Sequence, residues 1–326
     1  MKIEMAHGGG GVQTGELIRD VFARHLSNKY LDPMGDAAVL ELPGRRIAMT
    51  TDAFVVKPLF FPGGDIGRLS VCGTVNDLLM AGSTPMYLTA SFAIEEGMEI
   101  SDLDRIARSM RETADEAGVL VVAGDTKVVE GSGGLIITTA GVGAVLGQPV
   151  SIAGAQPGDA LMLSGDLGDH HAAILSSRMG IENGIVSDDA PLTEMVFALQ
   201  RANIPLHALR DVTRGGLATI LNEVAAASGC QIEVEQRKVP VGREVRGLCS
   251  ILGLDPLTMG NEGKLIAVVP GDRAEEALTI LRTSRYGARA QIIGGVKAGK
   301  GVTLVTELGG RRILPPLSGE GLPRIC

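Results

Sequence analysis

Residues 131–158 read GSGGLIITTAGVGAVLGQPVSIAGAQPG, without one charged side chain. Either a membrane span or a buried strand leading into a turn would produce such a run. Its apolar heart, Leu135 to Leu146, falls short of the ~20 residues a helix needs to cross a bilayer, and Thr138, Thr139, Gly141 and Gly143 interrupt it. A buried strand at Leu135–Val145 fits better. The uncharged, turn-rich stretch from Pro149 to Pro157 then divides the chain in two.

Working outward from that division, both halves mix helix and strand. On the N-terminal side, Thr14–Lys29 predicts an amphipathic helix with Leu17, Ile18, Val21, Phe22 and Leu26 on one face. Strands are expected at Ala37–Leu42, Ile47–Thr51, Tyr87–Ile94 and Val119–Ala123, with helices at Asp65–Ala81 and Leu103–Ala117. On the C-terminal side, strands are expected at Ala160–Leu163, Ile232–Val234, Leu265–Val269 and Gln291–Ile293. Helices are expected at His170–Met179, Leu192–Ala202 and Asp272–Leu281, and Asp211-Val212-Thr213-Arg214-Gly215-Gly216 opens another running to about Ala227. The fold class is α/β, as two mixed domains, 1–150 and 151–308, followed by an arm at 309–326. No short-period repeat is visible.

Composition narrows the function classes. Hydrophobic residues at 45% and charged residues at 21% describe a soluble globular chain with ample core. The net charge is −8, aromatics make up 3%, and there is no Trp. A nucleic-acid partner is therefore not expected, since neither a basic patch nor a stacking platform is present. Met1-Lys2-Ile3-Glu4 lacks the apolar stretch of a signal peptide, so a cytoplasmic, reduced protein with no membrane association is expected. Of the four cysteines, Cys72, Cys230 and Cys249 lie in apolar, helix-like surroundings and read as small hydrophobes. No CxxC or paired zinc spacing occurs.

Cys326 is different. It is the last residue, on an approach carrying Pro315, Pro316, Gly319, Gly321 and Pro323. Such a stretch disfavours helix and favours an extended, mobile arm that can present a thiol to one protein and then another. Prenylation needs a cysteine four residues from the end and does not apply. The plainer reading is a frayed terminus that stops at Cys.

Aspartates recur beside Gly or Thr. Asp36 follows Gly35, Asp52 ends the strand in Thr50-Thr51-Asp52, and Asp77 sits mid-helix after Asn76. Asp125 ends a strand in Gly124-Asp125-Thr126-Lys127, and Asp166 ends another. Carboxylates at strand ends converge on one rim of a sheet, where α/β folds hold ligands. Several in one cleft repel one another unless divalent cations hold them, and hard oxygen ligands with phosphate suit Mg²⁺. Any one of them alone reads as a cap or turn residue. The chain has neither a P-loop nor a dinucleotide fingerprint. Two backbone features suit phosphate: the glycine run His7-Gly8-Gly9-Gly10-Gly11, and the helix opening at Asp211 to Gly216. The first reads equally as a loose N-terminus.

Taken together, a set of motifs resembles a known family. These are His7-Gly8-Gly9-Gly10-Gly11, Gly73-Thr74-Val75-Asn76-Asp77, Gly124-Asp125-Thr126-Lys127-Val128-Val129, Leu167-Gly168-Asp169-His170, Asp211 to Gly216, Asn261-Glu262-Gly263-Lys264, and terminal Pro323-Arg324-Ile325-Cys326. They look like the HypE family of hydrogenase maturation factors, within the superfamily of aminoimidazole ribonucleotide synthetase and selenophosphate synthetase. The terminal tetrapeptide is the specific part, since the other motifs fit several relatives.

The resemblance implies N-terminal domains paired into a homodimer and ATP–Mg²⁺ bound between domains. It implies a carbamoyltransferase, HypF, that loads a carbamoyl group onto Cys326. The chain then dehydrates that group to a thiocyanate with ATP, and the cyanide passes to iron on a HypC–HypD complex. Implied site residues are Cys326, Glu262 as base and Lys127 for catalysis. Gly9, Gly10, Asp36, Asp52, Asn76, Asp77, Asp125, Thr126, Asp211 and Thr213 are implied around the nucleotide, with Asp36, Asp52, Asp77, Asp125 and Asp211 toward metal. Without the resemblance, Glu262 reads as a turn carboxylate paired with Lys264, and His170 and His171 as capping or surface residues. Two alternatives stay open: a small-molecule kinase or synthetase of the superfamily, which needs no Cys326, and a nucleotide-binding scaffold, which tolerates loss of Glu262.

Overall fold

Leu135–Ala144 is a strand, as its uncharged sequence predicts. The computed structural model describes residues 2–4, 7, 16–29 and 46–317. Gly9, Gly10, Asp36, Cys326 and the strand expected at 37–42 lie outside the described residues. The strands are β1 (Ile47–Phe54), β2 (Phe60–Phe61), β3 (Gly64–Asp65), β4 (Thr84–Glu95), β5 (Leu120–Val129), β6 (Leu135–Ala144), β7 (Asp159–Leu163), β8 (Ala208–Asp211), β9 (Gln231–Glu235), β10 (Leu265–Pro270), β11 (Gln291–Lys297), β12 (Gly301–Val305) and β13 (Arg311–Ile313). The helices are α1 (Ile18–Ala23, π-type, continued by Arg24–Leu26), α2 (Ile66–Met80), α3 (Ile100–Ala117), α4 (Asp169–Met179), α5 (Thr193–Arg201), α6 (Gly216–Ser228), α7 (Arg243–Leu252) and α8 (Ala274–Thr283).

The first sheet has the order β1-β6-β4-β5, antiparallel except for the parallel β4–β5 pair at its edge. One face is covered by α2, which lies on β1, β6 and β4, with α3 packed beside it. Along β1 the outward residues 47, 49, 51 and 53 are exposed while their neighbours are partly or fully covered. This is the period-two pattern of a half-covered sheet. The bare face exposes Ile47 (55%), Met49 (71%), Val129 (42%) and Ile136 (43%).

The second sheet has the order β13-β12-β9-β11-β7-β10-β8. Its centre is buried on both faces, which is why Leu265-Ile266-Ala267-Val268-Val269 is an unbroken apolar run. Leu265, Ala267 and Val269 pack with Leu199 of α5 and Leu278 of α8, whereas Ile266 and Val268 pack with Leu217, Ile220 and Leu221 of α6. The two halves also share core. The cluster holding Leu69, Val75 and Leu79 of α2 continues into Met162, Leu209 and Leu199, and α2 itself touches β8 and α5.

Several expectations need correcting. β5 does not stop at Ala123 but runs to Val129, because Leu120–Val129, apart from a bulge at Val122, finds a parallel partner in β4. Asp211 ends β8 rather than opening a helix, and α6 begins at Gly216, with its capping Gly215 (φ 81°) and Gly216 itself (φ 64°) both left-handed. Helix α7 and strands β2, β3, β8, β12 and β13 were not anticipated. The described part of the arm is packed on the second domain. β13 pairs with β12, Leu314 is buried, and its carbonyl accepts from Asn222 Nδ2 at 2.9 Å. Among the described residues no helix is long and apolar enough to cross a membrane.

Candidate active site

Helix α2 carries the centre of the site. Asp65 caps it, accepting from the Gly67 and Arg68 amides at 2.7 and 3.0 Å. Every residue of the helix is buried except Arg68 and Asp77. A helix covered on every side lies in an interior, so a carboxylate left partly open on it faces a cleft rather than bulk solvent. Gly73 lets the helix approach β1, since a Cβ there would lie 2.7 Å from the Phe54 ring.

Thr50 Oγ1 donates to Asp77 Oδ2 at 2.8 Å, and Asp52 stands on the same side of β1, two residues on. Asp211 arrives from β8, and the Asn261–Lys264 turn brings Glu262. One cleft is lined by Asp52, Phe54, Gly73, Asp77, Asp211, Thr213, Arg214 and Glu262. Asp211 and Glu262 are 4% and 5% exposed. Burial pushes the Asp52 carboxyl up to about 6, helped by the charge of Asp77 and the hydrogen bond they share. Burial, and then Asp77 again, lifts Asp211 to about 7, although Arg210 Nη1 lies 2.8 Å from its Oδ1. Carboxyls held this far from their ordinary range invite a cation.

The structure therefore brings together Asp52, Asp77, Asp211, Thr213 and Glu262. It does not bring Asp125 and Lys127 with them. In the register across the first sheet, Asp52 pairs with Thr139, Thr139 with Ala90, and Ala90 with Gly124. Side chains alternate along a strand, so Gly124 and Thr126 share the covered face with Asp52, while Asp125 and Lys127 stand on the bare one, exposed. Asp52 and Asp125 are also mid-strand, not at strand ends. The turn-like composition Gly124-Asp125-Thr126-Lys127 suggested an end that the parallel pairing overrides.

Asn76 acts as a brace. Its Nδ2 donates to the Ala190 and Glu262 carbonyls at 3.1 and 3.4 Å, and its Oδ1 accepts from the Leu192 amide at 2.9 Å. Asp166 lies just beyond β7 and pairs with Arg289 at 3.2 Å. Neither histidine is a surface residue. His170 is fully buried with Nδ1 2.8 Å from Ser187 Oγ, and burial lowers His171 to about 4. Lys264 does not pair with Glu262. Its Nζ lies 3.0 Å from Asp188 Oδ2, and Asp188 also accepts the Glu262 and Gly263 amides at 3.3 and 3.1 Å. Sequence reading missed Asp188, and the doublet Asp188-Asp189 was its only signal. Among the described residues no three His, Cys, Asp or Glu side chains are arranged to cage a metal by themselves.

Comparison with known proteins follows the same outline. Residues 34–145 match the model of the AIR synthase related protein N-terminal domain, and residues 156–307 that of the C-terminal domain. The chain is 51% identical to the carbamoyl dehydratase HypE of Azotobacter vinelandii over 331 residues, 99% of this chain and 97% of the relative. A crystal structure of HypE in complex with ATP superposes with a TM-score of 0.95 at 46% identity, covering 99% of both chains. A chain from a HypE–HypF complex superposes at 0.80 with 47% identity, covering 92% of this chain and 99% of that one. The chain thus belongs to the HypE carbamoyl dehydratase family, built on paired AIR synthase-type α/β domains.

Proposed function

We propose that this protein is an ATP-dependent carbamoyl dehydratase acting on its own Cys326. The observation that carries the reading is the meeting of Asp52, Asp77, Asp211 and Glu262 in one cleft, in a family whose members include an ATP-bound structure and a complex with HypF. The acceptor is an S-carbamoyl group made by a HypF-type transferase, and the product is a thiocyanate whose cyanide passes to iron on a HypC–HypD complex for the [NiFe]-hydrogenase centre.

The amide oxygen is a poor leaving group. It attacks the γ-phosphorus of ATP, ADP departs, and the oxygen becomes part of a phosphate ester. Glu262 takes the nitrogen protons one at a time, giving the first up to solvent before it takes the second; the C–O bond breaks with release of inorganic phosphate, and the C≡N bond of the thiocyanate is complete. Positioning and charge neutralisation dominate such transfers. Asp52, Asp77 and Asp211 suit Mg²⁺, which takes one or two carboxylates and fills its shell with phosphate and water oxygens; bound there, it would neutralise phosphate charge. The raised carboxyls of Asp52 and Asp211 fit this need. Thr213 and the start of α6 offer donors to phosphate oxygens.

Lys127 and Asp125 work from the bare face of the first sheet, so in this reading a second copy covers that face and receives them. The exposed Ile47, Met49, Val129 and Ile136 support a homodimer there. A cytoplasmic setting agrees with Cys72, Cys230 and Cys249 being free and buried.

The test is mass spectrometry of the C-terminal peptide after incubation with HypF, carbamoyl phosphate and ATP. The peptide gains a carbamoyl group and then loses water. Cys326→Ala binds ATP and gains nothing; modification of that variant, or no modification of the parent, overturns the proposal.

A further inference from the structure

We infer that Asp188 is the positioning residue of the Glu262 turn, its carboxylate fixing the base through the backbone rather than touching the reacting group; this rests on Glu262 being the base. The Asp188 side chain is 2% exposed. Its two oxygens are divided between neighbouring amides, Oδ1 accepting from Glu262 at 3.3 Å and Oδ2 from Gly263 at 3.1 Å. Lys264 Nζ, 3.0 Å from Oδ2, balances the buried charge.

The ends of the turn are tied elsewhere. The Asn261 amide donates to the Val212 carbonyl at 3.1 Å, and the Val212 amide to the Lys264 carbonyl at 2.8 Å. The two amides between those ties go to Asp188. A two-point carboxylate clamp on consecutive amides fixes the peptide plane from which the Glu262 side chain leaves. The segments are also as close as backbones allow, because a Cβ on Gly263 would lie 1.9 Å from the Asp188 carbonyl oxygen.

The clamp is itself held by the first domain. The Ser187 amide donates to the Pro62 carbonyl at 2.7 Å. Arg68 Nε donates to the Asp189 carbonyl at 2.8 Å, and Asn76 Nδ2 to that of Ala190 at 3.1 Å. Arg68 and Asn76 belong to α2, the helix that presents Asp77. Asp188 thereby sets the base in the same frame as the phosphate-side carboxylates.

The experiment measures single-turnover dehydration of the carbamoylated full-length chain together with amide hydrogen exchange across residues 257–266. In Asp188→Asn an NH2 donor takes the place of one of the two acceptor oxygens, so the two-point clamp loses one of its points. kcat should fall by about 10-fold to 10²-fold, the cost of a misplacement near 1 Å, while KM for ATP stays at its parental value and exchange in the turn quickens. Leu26→Ala, a core truncation in α1 of the first domain, supplies a comparable loss of melting temperature with parental kcat and turn exchange. Should Asp188→Asn fail to fold, Asp188→Glu keeps the charge and the Lys264 pair but moves the oxygens by about 1.5 Å, one C–C bond, and should lower kcat by a similar factor. Parental kcat in a folded Asp188 variant, with Glu262→Gln inactive, overturns the positioning role alone. Parental kcat in Glu262→Gln overturns the base assignment and the positioning role together.

Discussion

Glu262 and Asp189 show how burial decides what a carboxyl does. General-base catalysis contributes roughly 10²–10⁴-fold, so Glu262→Gln should keep the fold and ATP binding while dehydration falls by about that factor. Carbamoylated Cys326 should then accumulate, seen as a terminal peptide that gains the carbamoyl group and never loses water; thiocyanate at the parental rate would remove Glu262 from the chemistry. Asp189 is 4% exposed, and neither carboxyl oxygen has a hydrogen-bond partner among the described residues. Burial lifts it to about 8. A carboxyl raised in the folded state contributes stability that is fully present below its unfolded pKa and is lost as pH rises through the folded value. Asp189→Asn, which copies the neutral acid, should therefore melt close to the parent at about pH 4 and a few degrees above it at about pH 8. A difference that shrinks with pH would mean that Asp189 is ionised when buried.

At the level of elements, α2 was legible because apolar residues recur through Ile66–Met80 with no proline to break them, and β6 because its charge-free run is too short to span a bilayer. Asp52, Asp77 and Asp211 were legible as candidates from their Gly and Thr neighbours. Asp188 was not, because its role depends on the Glu262 turn lying against it in space, 74 residues away. β5 was misread because glycine and aspartate suggest a turn locally, whereas pairing with β4 is a long-range fact. Helix α7 went unread, although Val245, Leu248 and Cys249 form a buried stripe at helical spacing. The short strands β12 and β13 gain their identity only from each other and from β9. Two substitutions test α2 directly. Gly73→Ala sets a methyl 2.7 Å from the Phe54 ring, and should cost about 1–3 kcal/mol in chemical denaturation, as overpacking does. Asp77→Asn should leave the melting curve close to parental and weaken ATP binding only when Mg²⁺ is present; variant titrations that match the parent's both with and without the ion would take Asp77 out of the site.

At the scale of the whole molecule, the bare face of the first sheet leaves Ile47, Met49, Val129 and Ile136 exposed. Charge placed on it should split the proposed dimer, since a desolvated unpaired charge at an apolar interface is costly. Met49→Asp should give a monomer by light scattering and lose ATP-dependent dehydration, with each chain still folded. A dimer that survives Met49→Asp would put the interface elsewhere.

Strand β5 turns Thr126 inward and Asp125 and Lys127 outward, so a single chain cannot gather all of them around one nucleotide. Two crippled proteins should therefore rescue each other. Chains carrying Asp77→Asn and chains carrying Lys127→Ala, each inactive alone, should regain about a quarter of parental activity when unfolded and refolded as a mixture. Random pairing makes half the dimers mixed, and each of those rebuilds one whole centre from two damaged halves. A mixture as silent as its components would mean that Lys127 serves the chain that carries it.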